Sequence, residues 1–320
     1  MTTDPHNQQR ESVEIRSFVY ESFDERHVDL FRRAWSAYVE RGEIKPLAPG
    51  HLRALYAANP SGASVVTVAS QGERWLGLVA GLATDVVLPD GRTERAFQIG
   101  DFMVDQAVQR QGIGGRLLEG LLAFLRTQGY AVYTFPNRRS VEVFLRQGFE
   151  EIRSLQPLLF APLPGRWARR RLAARGLRAR GLTLEQASRL ADELANQPRA
   201  TPEIRKNSRY LRWRYAEMRD SAEFHFLGIE TDDGTAAGLV VSTSYRFRGI
   251  PFGVVVDVLG GDGFREPLHC GVGLGAGGWV GFSTVERDSD WPAPPLAIEL
   301  PARFQPRPVR LLVPPGDERS

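Results

Sequence analysis

The segment that most limits what this chain can fold into is Phe102-Met-Val-Asp105-Gln-Ala-Val-Gln109-Arg-Gln-Gly112-Ile-Gly114-Gly115-Arg116-Leu-Leu. An apolar, strand-like stretch enters a loop of glycines, amides and arginines, and the loop runs straight into an amphipathic helix. Leu117, Leu118, Leu121, Leu122 and Leu125 recur at helical spacing and predict that helix's buried face. Glycines let the backbone turn so that successive N–H groups converge, and the helix start adds its partial positive charge at the same place. Such a bend suits a diphosphate, with Arg110 and Arg116 able to add charge. Two commoner cradles do not fit. A dinucleotide fold needs GxGxxG between parallel strands and an acid about 20 residues on. A P-loop needs Gly-Lys-Ser/Thr, where this chain has Gly115-Arg116-Leu117.

The pieces around the loop predict a mixed α/β domain. Val13–Tyr20 alternates as a strand does, and Ser22 with Glu25 predicts a capping box opening a helix through Leu30, Phe31 and Trp35. Strands are expected over Ser64–Ala69, Trp75–Val87 and Arg95–Val104, the last two joined by the turn Pro89-Asp90-Gly91. A helix over Gly114–Gln128, a strand over Ala131–Phe135, a helix over Ser140–Gln147 and a strand from Phe149 complete the order. The predicted class is α/β with a mixed (α+β) sheet, and 320 residues leave room for a second domain.

The second half echoes the first. Leu52-Arg-Ala-Leu-Tyr-Ala57 returns as Leu211-Arg-Trp-Arg-Tyr-Ala216, and Trp75-Leu-Gly-Leu-Val-Ala80 as Ala236-Ala-Gly-Leu-Val-Val241. The spacing is about half the chain, as an internal duplication requires. Gly253-Val-Val-Val-Asp257-Val-Leu-Gly260 then stands for the strand before the glycine loop. Trp213 and Tyr215 alternate with Arg212 and Arg214 as strand residues would. After residue 265 nine prolines and no helical period predict loops and isolated edge strands. The expected organisation is therefore a tail over 1–12, a first domain over 13–160, an arginine-rich linker over 161–182, a degenerate second lobe over 183–265, and a Gly/Pro-rich segment over 266–320.

Charge and cysteine usage exclude several classes. The net charge of +3 is carried by one stretch, since 166–180 holds seven arginines and no acid, leaving 34 basic against 38 acidic residues elsewhere. A nucleic-acid-binding domain spreads its basic residues over a docking face, so the composition argues against such a partner. Contact of this run with a polyanion would predict a steep salt dependence of binding. Cys270 is alone, which rules out an internal disulfide and a cysteine-clustered zinc site, and no metal is expected. His27, His51, His225 and His269 lack ligand spacing and are expected at the surface or in packing. No apolar run reaches the length of a membrane span, and the start MTTDPHNQQRESVE lacks an apolar signal core. A cytoplasmic location is expected.

At the glycine loop the chain resembles the GNAT superfamily of acyl-CoA-dependent N-acetyltransferases. Gln109, Gly112 and Gly114 match its [Q/R]-x-x-G-x-[G/A] motif. Asn137-Arg-Arg-Ser140-Val-Glu-Val-Phe144-Leu-Arg-Gln-Gly148-Phe149 matches its second mark, an Asn before a short helix ending in Gly-Phe. The resemblance implies a GNAT-like fold with a second, incomplete GNAT-like lobe, and acetyl-CoA as co-substrate. Backbone groups of Phe102, Met103 and Val104 would pair with the pantetheine arm. Gln109, Arg110, Gln111, Gly112, Ile113, Gly114 and Gly115 would hold the diphosphate, and Asn137 would bond near the thioester. Gly260-Gly-Asp-Gly-Phe264 breaks the motif in the second copy, so one cofactor site is expected.

Acyl transfer to a primary amine, by direct attack in a ternary complex, needs a neutral amine, a polarised carbonyl and a proton for the leaving thiolate. The family often takes that proton from a Tyr four residues before the Gly of its second mark, where this chain has Phe144. Tyr133 on the preceding strand is the substitute candidate. Asp101, beside Phe97, Ile99 and Met103, is the preferred base, ahead of Asp105 and Asp85. The acceptor would be a small-molecule or peptide amine, and a homodimer is compatible with the sequence. The alternative is a non-catalytic acyl-CoA-binding or scaffold protein.

Overall fold

The structure is a computed structural model that describes residues 12–22, 24–40, 49–137, 140–160, 165–197, 202–217, 223–247, 250–260, 280–286, 297–298 and 309–314. The chain divides into two compact units, one of residues 1–83, 95–150 and 312–320 and one of residues 84–94 and 151–311.

The first unit opens with β1 (Glu14–Tyr20), α1 (Glu25–Glu40) and α2 (Pro49–Leu52), which continues into a π-helical turn over Arg53–Ala57. Asp24, not Ser22, supplies the oxygen at the start of α1, accepting the Arg26 N–H at 2.9 Å. Strands β2 (Ser64–Gln71), β3 (Arg74–Val87) and β4 (Thr93–Val104) follow, then α3 (Ile113–Thr127), β5 (Ala131–Thr134) and α4 (Val141–Arg146), after which β6 (Glu150–Phe160) belongs, from residue 151, to the second unit. These elements lie within a residue or two of their expected places, because each is marked by its own apolar period and bounded by Gly, Pro or Asn. The short α2 and its π-helical continuation carry no such period and were not anticipated.

In the sheet β1 pairs antiparallel with β2, and β2 with β3. Strand β4 lies next to β3 and runs parallel to β5. On one face α3 packs Leu117, Leu118, Leu121, Leu122 and Leu125 against Val65, Phe97 and Ile99. On the other, α1 and the α2 turn pack Leu30, Leu52 and Tyr56 against Val66, Leu78 and Met103. Strand alternation in β4 changes parity midway: Phe97 and Ile99 face α3, yet so do Phe102 and Val104, while Met103 faces the other layer. The extra residue that produces this shift lies at Gly100-Asp101, and Asp101 has φ of 42°, a left-handed value rare for anything but glycine.

The second unit contains α5 (Gly165–Ala173), β7 (Leu177–Leu182), α6 (Leu184–Ala195), β8 (Glu203–Ile204), α7 (Ser208–Arg212), a second π-helical turn over Trp213–Glu217, β9 (Phe224–Thr231), β10 (Ala236–Phe247) and β11 (Ile250–Gly260). Strands β7, β9, β10 and β11 pair antiparallel in that order, and β11 is followed in the sheet by parallel β12 (Val280–Glu286) and then β6. Strand β13 (Ala297–Ile298) also pairs with β6; Leu312 of β14 (Val309–Val313) belongs to the first unit and pairs there with Thr134 of β5. Trp213 and Tyr215 do not sit on a strand as their alternation predicted. Asn207 caps α7 through the Tyr210 N–H at 3.1 Å, and the helix then runs on through both aromatics. Within the basic stretch 166–180, α5 buries Ala168 and Leu172 against Leu227, Ile229 and Val240. Arg178 and Arg180 pair across the sheet with Asp232 and Glu230. Cys270 and the motif-breaking Gly260–Phe264 segment beyond Gly260 lie outside the described residues.

Candidate functional site

The glycine loop is organised by Asp105, a buried carboxylate at the end of β4. Its Oδ1 accepts the Ala107 N–H at 3.1 Å, capping a 3-10 turn over Gln106–Val108, and its Oδ2 accepts from Arg33 at 2.8 Å and Arg74 at 2.7 Å. Burial alone would raise the pKa of this carboxyl. The Arg74 hydrogen bond, the Ala107 N–H and Arg33 outweigh burial and hold it below the ordinary value. Asp105 is therefore committed to the loop's base and is not a free proton acceptor. Gln109 Nε2 donates back to Val104 O at 3.1 Å, closing the bend over the strand end.

Beyond it the backbone turns left-handed twice, at Arg110 (φ 64°) and Gly112 (φ 79°). Gly112 is the N-cap of α3 and has no side chain to satisfy the helix's first N–H groups. A Cβ at Gly112 would meet no atom within 4 Å, and one at Gly115 only Gln147 Nε2 at 3.9 Å. Gly114 is different, because a Cβ there would come to 3.1 Å from Phe102 Cζ. Glycine thus serves two needs here: backbone reversal with open space at 112, and close packing of the helix start on β4 at 114. Gln109, Arg110 and Gln111 are exposed, whereas Ile113 turns inward to anchor the helix. Arg110 makes no ion pair with any described residue. Arg116 reaches back to Val13 O at 3.0 Å.

Strand β5 pairs with β4 only from Ala96 to Ile99, a register ended by Thr134 Oγ1 donating to Ile99 O at 3.0 Å. Past that point, among the described residues, the β5-side edge of β4 has no strand partner over Phe102, Met103 and Val104. The unpaired edge leads directly to the open amides at the start of α3. The arrangement fits an extended chain carrying amide groups and ending in a diphosphate: edge backbone for the amides, convergent N–H groups for the phosphates. Asn137 sits beyond β5, its Oδ1 accepting the Ser140 N–H at 3.1 Å.

Asp101 lies at the bulge, partly exposed, on the face opposite α3. Tyr56, wholly buried in the π-helical turn, donates its hydroxyl to Asp101 Oδ2. Burial, and then the Asp101 charge, push the Tyr56 pKa well above its ordinary value, so it stays a donor. Around Tyr56 stand Tyr20, with ring centroids 5.4 Å apart, and His27 at 5.3 Å. His27 is fully buried, as the packing expectation allowed, and its Nε2 has no hydrogen-bond partner. Sequence reading missed this aromatic setting, although the repeated Leu-Tyr-Ala spacing at Leu52–Ala57 was the signal for it. Tyr133 lies on β5 opposite Gln98, half-buried, with Phe135 at 5.9 Å. Phe144 is buried between Phe102 and Phe149 at 5.9 and 5.2 Å and belongs to the core. No cluster of metal-ligating side chains occurs among the described residues. Among them, too, no helix is long and apolar enough to cross a membrane.

The fold is a mixed α/β sheet whose parallel strands β4 and β5 part beside a glycine-capped helix. Residues 25–149 match the model of the Acetyltransferase (GNAT) family. Solved structures agree in fold. A probable N-acyltransferase from Enterococcus faecalis, of unknown function, superposes with a TM-score of 0.68 at 14% identity, over 94% of this chain and 72% of its own. A GCN5-related N-acetyltransferase from Anabaena variabilis gives 0.66 at 11% identity, over 93% and 72%. One from Kribbella flavida gives 0.57 at 15%, over 94% and 71%. Comparison with curated proteins finds no match in sequence.

Proposed function

We propose that this chain is an N-acetyltransferase that moves an acetyl group from acetyl-CoA to a primary amine within a ternary complex. The observation that carries the reading is the junction of β4 and α3, a strand edge without a strand partner among the described residues running into a helix start with no side-chain cap and open space beside the Gly112 Cα. The bound acyl-CoA would supply an activated thioester. Backbone groups of Phe102, Met103 and Val104 would orient it, and the amides from Gly112 to Gly115, with Gln109, Arg110 and Gln111 at the rim, would hold its diphosphate. Asn137 would bond near the thioester end. Asp101 would take the proton that frees the amine, an assignment supported by its strained backbone, its exposure and the Tyr56 hydroxyl fixing one of its oxygens. Tyr133 stands as the proton source for the departing sulfur.

Calorimetry with acetyl-CoA tests the reading: binding by the parent protein and its loss in Gly114→Glu, where a bulky anion would enter the cradle, are expected. Equal behaviour of the two proteins refutes it. The burial of Phe144 at the family's usual tyrosine position favours a second reading, a protein that binds acyl-CoA without turning it over. Cofactor binding with no thiol release across a broad amine panel would select that one.

A further inference from the structure

From β7 to β11 the second unit repeats the element order of the first from β1 to β4, with β8 inserted between α6 and α7. Strand β7, helix α6, helix α7 with its π-helical turn, and strands β9, β10 and β11 follow the order of β1, α1, α2 with its π-helical turn, β2, β3 and β4. In each unit the first strand pairs antiparallel with the second and the second with the third. In each, the π-helical turn carries a buried tyrosine whose hydroxyl donates to an aspartate on the last strand: Tyr56 to Asp101, and Tyr215 to Asp257 at 2.9 Å. The irregularity recurs as well, since β11 slips register against β10 between Val241 and Ser242, opposite Asp257.

The copies differ in what meets the other carboxylate oxygen. Asp257 is buried, and its Oδ1 is bonded to the ammonium of Lys206. In the second unit a phenol and the tip of an unbranched alkylammonium thus share one carboxylate. Asp101 is partly exposed, and among the described residues no cation faces its Oδ1. His27, packed against its tyrosine, has its pKa lowered by burial. The first unit therefore keeps the tyrosine and the carboxylate and lacks only the ammonium.

We infer that the acceptor is an unhindered primary alkylamine, of the lysine side-chain or linear diamine kind, whose ammonium docks on Asp101 as Lys206 docks on Asp257. The inference rests on the acetyltransferase reading above and narrows its substrate class. An alkylammonium, with pKa of about 10.4, arrives charged at neutral pH and gains from the carboxylate, whereas an arylamine arrives neutral and gains nothing. One proton passes from the ammonium to Asp101 and on to water. The freed nitrogen lone pair bonds to the thioester carbonyl carbon, the carbon–sulfur bond breaks, and the nitrogen's second proton ends on the thiolate. The products are an amide, a free thiol and one released proton.

The test is thiol release by the full chain at saturating acetyl-CoA, with cadaverine and 4-methoxyaniline as acceptors. Expected results are a kcat/KM for cadaverine about 100-fold or more above that for the arylamine, and a cadaverine KM that rises with salt. Asp101→Asn still accepts the Tyr56 hydrogen bond and should raise that KM about ten-fold or more while calorimetric affinity for acetyl-CoA holds. Lys206→Met, in the other unit, should lower the melting temperature and leave the KM alone. Comparable use of the arylamine, a salt-independent KM, an unmoved KM in Asp101→Asn, or cofactor binding without alkylamine turnover overturns the inference and spares the cofactor site. Absence of acetyl-CoA binding overturns the broader reading, and this one with it.

Discussion

The two ends of α3 offer an internally controlled test of the diphosphate cradle. Gly112 caps the start with φ of 79°, and Gly129 follows the end with φ of 72°. A Cβ at either would meet nothing within 4 Å, so neither substitution is opposed by packing. Alanine at each must therefore bear the same left-handed backbone penalty, about 1–2 kcal/mol. For a unit of this size that lowers the melting temperature by about 2–8 °C, equally in Gly112→Ala and Gly129→Ala. The functional consequences should separate completely. At Gly112 the new methyl occupies the open space over the first amides, and relaxation of the strained turn swings at least one N–H away. Hydrogen bonds to charged groups contribute about 1.5–3 kcal/mol each, so acetyl-CoA affinity should fall about 10- to 100-fold. At Gly129, the far end of the helix, affinity should not change. Differential scanning calorimetry and isothermal titration on the three proteins decide it. Equal affinity in Gly112→Ala and parent, with both alanine variants destabilised alike, would show that the bend is only a helix start and refute the cradle.

Two further outcomes follow from buried groups. Burial holds the pKa of His27 below its ordinary value, with the Asp101 and Asp24 charges opposing that shift. As pH falls through about 6.5 the unfolded state takes up a proton that the folded state refuses, so stability is full at neutral pH and declines below it, by up to about 1.4 kcal/mol per pH unit. Denaturant melts from pH 7.5 to 5 should show this slope, and His27→Phe should flatten it; an unchanged slope in the variant would rule His27 out as its source. Phe144→Tyr restores the family's usual hydroxyl, but between Phe102 and Phe149 that hydroxyl is buried. It should cost about 1–3 kcal/mol and bring no gain in turnover. A ten-fold rise in kcat would mean instead that position 144 faces the reacting sulfur.

The strands of the first unit and helix α3 were legible because their apolar residues repeat with a period of 2 or 3.6 and glycine, proline or asparagine breaks the pattern between them, whereas β7 was hidden in a stretch read as an arginine-rich linker. The glycine loop was legible for a related reason, since its signal is a short local string. Tyr56 and Asp101 were harder: they meet only through the π-helical turn and the bulge, and neither irregularity has a periodic mark. Alternation misread Trp213 and Tyr215 as strand for the same reason, since a single helical turn of five residues is too short to display its period. The fold of the C-terminal residues was obscure because proline and glycine there report only what they interrupt. Leu312, fully buried beside β5, looks no different in sequence from its neighbours.

The change of parity in β4 makes chain length between Ile99 and Phe102 a conserved quantity of the fold. Deleting Gly100 or Asp101 would restore simple alternation and rotate every side chain beyond it to the wrong layer, sending Phe102 and Val104 toward α1 and Met103 toward α3. Any grafting of loops or exchange of segments with a relative must therefore keep its splice points clear of these two residues, even where side-chain identity can drift.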